Sequence, residues 1–283
     1  LSDMYSGAIA DIAGVVENCE KAISLAEEQA KIDARDTVIG IAGELVKGTT
    51  TTIRFRRPDP KKPLEMEELA NILEKVQKRA FERAQAQLSW ESGTPGLEIR
   101  LVNSAIVSMH IDGYKVNNPL GFQGKDVAVQ LYTAFAPMVH IGALERTAEE
   151  LDLNLIAVAA EPFGVSRSVI GSEASSNFSA VLIDVGGGTT DIAVVNEGGV
   201  EGTKMFGIGG RAFTKTIANE LHLDFGKAEE IKLKFSQGEL KSKQTTEVAA
   251  AVDKTLEVWL SGVELALSEF DDIDHLPNRI LLC

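Results

Sequence analysis

The chain has 283 residues, 44% hydrophobic and 25% charged, enough to bury at least one full core and to leave room for two domains. Forty-two acidic residues against 28 basic ones give a net charge of −14, which repels phosphate backbones and excludes nucleic acid as an expected partner. Cys19 and Cys283 and the four scattered histidines form no metal-ligand spacing, and no apolar run approaches the roughly 20 residues of a membrane-spanning helix. A reducing cytoplasm is therefore expected, with neither a zinc site nor a membrane span.

Ile12, Val15, Val16, Cys19, Ala22, Ile23 and Ala26 recur at three- and four-residue steps, predicting an amphipathic helix over about 11–28 whose stripe must pack on something. A short strand over Val38 to Ala42, a Thr-rich extended stretch at 49–53 and a Pro- and charge-rich loop from Arg56 to Pro63 follow. A second helix starts near Met66 with the face Leu69, Ile72, Leu73, Val76, Ala80 and Ala84, and two or three strands at 97–103, 105–111 and 126–135 complete a small α+β unit. Beyond it the pattern predicts a helix at 138–151, then strands at 153–159, 179–185, 190–196 and 200–206. Helices near 210–221, 227–235 and 245–270 come next, with a last strand from Arg279. The start at Leu1 and the stop in an apolar strand read as those of a fragment.

The most informative segment runs from Val181 to Val195: an apolar strand ends in Asp184-Val185, Gly186-Gly187-Gly188 make a tight reversal, and Thr189-Thr190-Asp191 open a second apolar strand. Three residues without Cβ let main-chain N–H groups converge on a phosphate, so the loop reads as an anion cradle. Asp184, at the strand end, is suited to hold Mg²⁺ through its water shell, because magnesium keeps most of its waters and takes few carboxylates. A plain glycine-rich hairpin turn is the alternative, although hairpins need only one or two such residues. A Walker loop is excluded, since no Gly-Lys-Ser/Thr follows and the exit segment is a strand.

Asp184 to Asp191 resembles the second phosphate motif of the actin, hexokinase and heat-shock-70 superfamily, and Ala160-Glu161-Pro162-Phe163-Gly164 resembles its first connecting motif. The resemblance implies an actin-like (ribonuclease H-like) two-domain α/β ATPase fold, with ATP and Mg²⁺ between the domains. By it Asp184 serves the metal, Gly186, Gly187, Gly188 and Thr189 the β- and γ-phosphates, and Glu161 the attacking water. A Glu-Pro helix start is the plain alternative for Glu161. Ala228-Glu229-Glu230-Ile231-Lys232 is similar to the adenosine helix, which would bring Glu229 and Lys232 to the ribose and adenine.

Within that superfamily, an α+β unit after the first helix and the turn Asn118-Pro119-Leu120-Gly121-Phe122-Gln123-Gly124 resemble the bacterial cell-division actin family, FtsA. That resemblance implies a partial first domain (1–36 and 137–175), an inserted interaction subdomain (37–136) and a second domain (176–283). It also implies recruitment of the tubulin-like division protein and other division membrane proteins, self-association into filaments, weak ATPase activity at most, and a location at the inner face of the cell membrane. The family's first phosphate motif, its Gly-Gly adenosine motif and its C-terminal membrane anchor have no counterpart here, so poor ATP binding is expected of the chain by itself. The actin-like ATPase of type IV pilus assembly is the alternative branch. From another class, Gly207-Ile208-Gly209-Gly210-Arg211-Ala212 matches the Gly-x-Gly-x-x-Ala of dinucleotide-binding enzymes, but without a βαβ unit Gly209 and Gly210 read as a helix entry beside the nucleotide cleft.

Overall fold

The structure, a computed structural model, describes residues 3–5, 7–42, 46–170, 178–270, 273 and 275–283. A hairpin of β1 (Met4–Tyr5) and β2 (Ala8–Ile9) leads into α1 (Ile12–Ala30), whose cap Asp11 accepts from the amides of Ala13 and Gly14. Then come β3 (Asp36–Ile41), β4 (Lys47–Arg56), α2 (Met66–Ser92), β5 (Ile99–Ile111), β6 (Tyr114–Lys115) and β7 (Asp126–Pro137). These are followed by α3 (Met138–Glu150), β8 (Asn154–Ala160), α4 (Glu161–Ile170), β9 (Ala180–Val185), β10 (Thr190–Asn196) and β11 (Gly199–Phe206). Helices α5 (Gly210–Glu220), α6 (Phe225–Ser236) and α7 (Ser242–Ser268) precede β12 (Ile280–Leu282).

One eight-stranded sheet in the order β12-β9-β10-β11-β4-β7-β5-β6 carries most of the core. Its β9–β10 half obeys the two-residue alternation of a strand. Val181, Ile183, Ile192 and Val194 face Val263 and Ala266 of α7, whereas Ala180, Leu182, Ala193 and Val195 face Phe163 and Val165 of α4. The β4–β7–β5 half is covered by α2, whose Leu69, Ile72, Val76, Ala80, Ala84 and Leu88 recur at helical spacing and are all buried. Strand β7 has two buried faces: Val127, Val129, Leu131 and Phe135 look toward α2, and Tyr132, Ala134 and Ala136 look the other way.

Several sequence expectations change here. The strands expected at 97–103 and 105–111 are one strand, β5, interrupted by bulges between Leu101 and Asn103 and between Ile106 and Ser108. An extra residue on one side of a ladder breaks the alternation without ending the strand, so sequence periodicity reports two segments. Strand β3, expected in the inserted unit, pairs in parallel with β8 in a separate two-stranded sheet, from Asp36↔Asn154 to Ile41↔Ala160. The β4 strand joins β11 at Thr49↔Gly202, so the inserted sheet is continuous with that of the glycine turn. The expected 175/176 boundary lies outside the described residues. The apolar stripe of α1 packs toward α3, yet none of its residues is buried.

Ile72, 2% exposed, fills the space between α2 and the sheet. Ile72→Ala is expected to destabilise the chain by about 2–5 kcal/mol through lost burial and a residual cavity. A urea midpoint that does not move would contradict this packing.

Candidate functional site

The turn between β9 and β10 opens on a cavity of about 320 Å³ lined by Gly186, Gly187, Gly188 and Thr189 on one side and by Gly40, Ile41, His140, Glu161 and Arg211 on others. The turn is closed by one bond, the Gly186 amide to the Thr189 carbonyl at 2.9 Å. None of its three glycines has a positive φ. A Cβ on Gly188 would meet nothing within 4 Å, and one on Gly187 would reach only the Arg211 side chain, at 3.7 Å from Nε. Neither backbone conformation nor internal packing therefore demands these glycines, which removes the plain hairpin explanation. The amides of Gly187, Gly188 and Thr189 donate to no group among the described residues, leaving them available to an anion in the cavity.

The turn is held from behind by main chain. Gly210 N donates to Gly186 O at 2.9 Å and Arg211 N to Gly187 O at 2.8 Å, docking the first turn of α5 on the loop. Gly209 has an extended backbone, φ −141°, so its lack of a side chain serves contact alone. A Cβ there would overlap the Gly186 carbonyl oxygen and lie 2.9 Å from the amides of Gly188 and Thr189. Thr190, fully buried, donates to Ile208 O at 2.7 Å and accepts from Trp259 Nε1 at 2.8 Å, which ties α7 to the same place.

Three carboxylates converge beside the loop. Asp184 and Asp191 are opposite each other in the β9–β10 register. Glu161 opens α4, and its side chain lies over Gly40, where an added Cβ would stand 2.9 Å from Oε1. Surrounding walls, and then the charge of Asp184, push the Glu161 carboxyl above its ordinary range. Burial first, then Glu161, pushes Asp191 up to about 7, opposed by the Thr189 hydroxyl that donates to it at 3.3 Å. Among the described residues no three carboxylate, imidazole or thiol groups are grouped so as to hold a metal directly. The acids present thus fit a hydrated cation better than a ligated one.

Glu229 and Lys232 do not line this cavity. They pair with each other at 2.9 Å, Lys232 also donates to Gly210 O at 3.2 Å, and Glu229 accepts from Thr214. The two side chains fasten α6 to the first turns of α5. The Gly207–Ala212 stretch does not belong to a βαβ unit: β11 before it is antiparallel to β10 and β4, and α5 runs on to α6 and α7.

Residues 181–264, which include the turn and the α5–α7 helices, match the family model of Cell division protein FtsA. The Cell division protein FtsA of Pseudomonas aeruginosa is 24% identical over 238 residues, 82% of this chain and 52% of that protein. That of Streptococcus pneumoniae is 26% identical over 267 residues, 91% of this chain and 54% of that protein. The chain is FtsA-like. The FtsA-like chain spans about half the length of the curated relatives it matches. Its fold is actin-like: the solved PilM-PilN type IV pilus biogenesis complex superposes with a TM-score of 0.66 at 17% identity, over 99% of this chain and 70% of that one. At that identity the likeness is one of fold.

Sequence reasoning about the FtsA-like chain brought Glu161, Asp184 and the glycine turn to one place. It missed Arg211 and His140 on the cavity wall, and it gave Asp191 no part beyond opening the second strand. The signal for Asp191 was available, since strand alternation from Asp184 through a four-residue turn places the two acids across from each other.

Two predictions follow from this geometry. Gly209→Ala is expected to displace the turn, costing about 1–3 kcal/mol of stability, because the added carbon meets main chain, which cannot swing away. A thermal midpoint equal to wild type would refute the contact. For Asp191, a raised pKa favours the neutral form in the fold. Its stabilising contribution is full below about pH 4 and is lost as the pH climbs through about 7. Asp191→Asn keeps an acceptor for Thr189, and is expected to raise the midpoint at about pH 8 while changing it little at about pH 4. A variant that tracks wild type across that range would show that Asp191 is not the group titrating.

Proposed function

We propose that the FtsA-like chain is the phosphate-gripping part of an actin-like cell-division protein that binds ATP with Mg²⁺. The observation that carries this is the glycine turn, whose free amides and side-chain-free surface look into a cavity across from Glu161. Gly187, Gly188 and Thr189 would donate to the β- and γ-phosphates, with Gly186, Gly209 and Gly210 keeping those amides aimed. Magnesium would supply positive charge between the phosphates and the protein's acids, with Asp184 holding its water shell. Glu161 would orient the water that attacks the terminal phosphate, its carboxyl held above its ordinary range by burial and then by the charge of Asp184. The adenosine end is assigned to α6, where Glu229 and Lys232 keep 37% and 22% of their side chains exposed.

In this reading residues 1–36 and 137–175 contribute to a first domain, which β3 joins through its pairing with β8, the rest of 37–136 forms an inserted interaction subdomain, and 176–283 form the second domain. Nucleotide occupancy would control self-association into filaments and recruitment of the tubulin-like division protein and other division membrane proteins. The names of the curated relatives and the −14 net charge support a protein partner over nucleic acid. No described helix is long and apolar enough to cross a membrane. Placement at the inner face of the cell membrane would thus depend on a peripheral anchor.

Calorimetry with Mg·ATP and a phosphate-release assay test the site. Gly187→Val is expected to weaken binding at least ~10-fold while leaving the thermal midpoint within a few degrees, since a Cβ there meets only the Arg211 side chain, at 3.7 Å. Glu161→Gln is expected to keep binding and to lose roughly 100-fold in turnover. Equal Mg·ATP affinity in wild type and Gly187→Val would end the proposal.

A further inference from the structure

The corner where β8 ends and α4 begins carries Glu161, and two side chains from the strands covered by α2 grip that corner. At the first bulge of β5 the ladder skips Val102, so that Leu101 is opposite Phe135 and Asn103 is opposite Ala134. The skipped residue re-aims Asn103, whose Oδ1 accepts from the amide of Ala160 at 2.6 Å. Ala160 is 1% exposed and immediately precedes Glu161. On the neighbouring strand β7, the ring of Tyr132 stacks on that of Phe163, two residues past Glu161, with centroids 5.5 Å apart and planes 6° from parallel. Tyr132 is fully buried. One contact thus fixes the main chain just before Glu161 and the other fixes the first turn of α4 just after it.

We propose that Asn103 and Tyr132 are positioning residues for Glu161, holding the β8–α4 corner so that its carboxyl faces the glycine turn. The proposal rests on the reading of Glu161 as the water-orienting group. The chain has few other means of setting that angle. Glu161 makes no hydrogen bond or ion pair among the described residues, so its direction follows from the backbone that bears it. Gly40 below it leaves room for the side chain but supplies no donor other than main chain. A tilt of α4 by a fraction of a turn would swing the carboxyl away from the cavity, and misplacements of about 1 Å at such a site cost on the order of 100-fold in rate. Neither Asn103 nor Tyr132 lines the cavity, so neither touches a ligand there.

The test uses Asn103→Ala, Asn103→Asp, Tyr132→Phe and Tyr132→Leu in the 283-residue chain, with Mg·ATP as the probe. Asn103→Ala is expected to lower kcat about 10–100-fold with KM within about 3-fold, and Asn103→Asp, which keeps the acceptor, to recover most of the loss. Tyr132→Phe keeps the stacked ring and is expected to behave as wild type, whereas Tyr132→Leu is expected to lose kcat. If Asn103→Ala does not fold, the two Tyr132 variants decide. A ligand-free arm follows the amide resonances of Ala160, Glu161 and Phe163, expected to shift in Asn103→Ala and to return toward wild type in Asn103→Asp. Wild-type kcat and unshifted corner resonances in Asn103→Ala would overturn the positioning role. Poor ATP binding is expected of the chain by itself, so where wild-type turnover is too low to compare, the ligand-free resonances alone decide whether Asn103 holds Glu161.

Discussion

Around the candidate site, main chain packs directly on main chain. Gly209 lies so close to the Gly186–Thr189 turn that no side chain fits between them, and the amides of Gly210 and Arg211 close the contact on the carbonyls of Gly186 and Gly187. Such a contact has no rotamers to relax, so the turn and the start of α5 move as one body. What is fastened to α5 is then fastened to the turn. Lys232 reaches Gly210 from α6, Thr255 of α7 hydrogen-bonds Thr216 at 2.7 Å, and Trp259 of α7 bonds Thr190 within the turn's exit strand. Two helices that do not line the cavity, α6 and α7, thereby set the position of its floor through α5 and the exit strand.

The opposite wall is set by a different device. Glu161 is placed by a strand-to-helix corner whose supports come from β5 and β7, and those strands bury their other faces under α2. The two walls meet through one continuous sheet, because β4 bridges β7 and β11. A cavity between rigid walls that share a sheet changes shape only if the sheet twists or a corner hinges. This gives the small polar networks at the corners more influence than their number suggests.

Most elements were legible because each apolar stripe had the period of its own structure. The α2 face, the two faces of β9 and β10, and the turn residues all follow from local spacing. What was illegible depended on partners distant in sequence. The pairing of β3 with β8 joins residues more than 100 positions apart, and nothing in Asp36–Ile41 distinguishes it from a strand of the inserted sheet. The bulge at Asn103 is invisible because its cause is the register of β7. Helix α4 was missing from the element pattern, although the Glu161-Pro162 pair had offered a helix start, and that is where the helix begins. Glu229 and Lys232 lie on one helix face, as their spacing implied, but spacing cannot show that both also bond α5 while keeping part of their surface exposed.

Electrostatics explains why glycines and acids occur together at this turn. Asp184, Asp191 and Glu161 crowd one end of β9, and burial has already driven Asp191 toward its neutral form. Adding a polyphosphate to such a place would be unfavourable unless its charge were offset, and among the described residues the cavity's own wall offers a single guanidinium, Arg211. The unpaired amides of the turn supply partial positive charge without adding a titrating group, and a hydrated divalent cation would supply the remainder. Buried acids are costly to a fold that binds nothing, because burial strips hydration and, among the described residues, no cation pairs with Glu161 or Asp191. In the proposed reading the two features are linked physically: the carboxylates would favour a cation, the amides would favour an anion, and a ligand carrying both would satisfy the site.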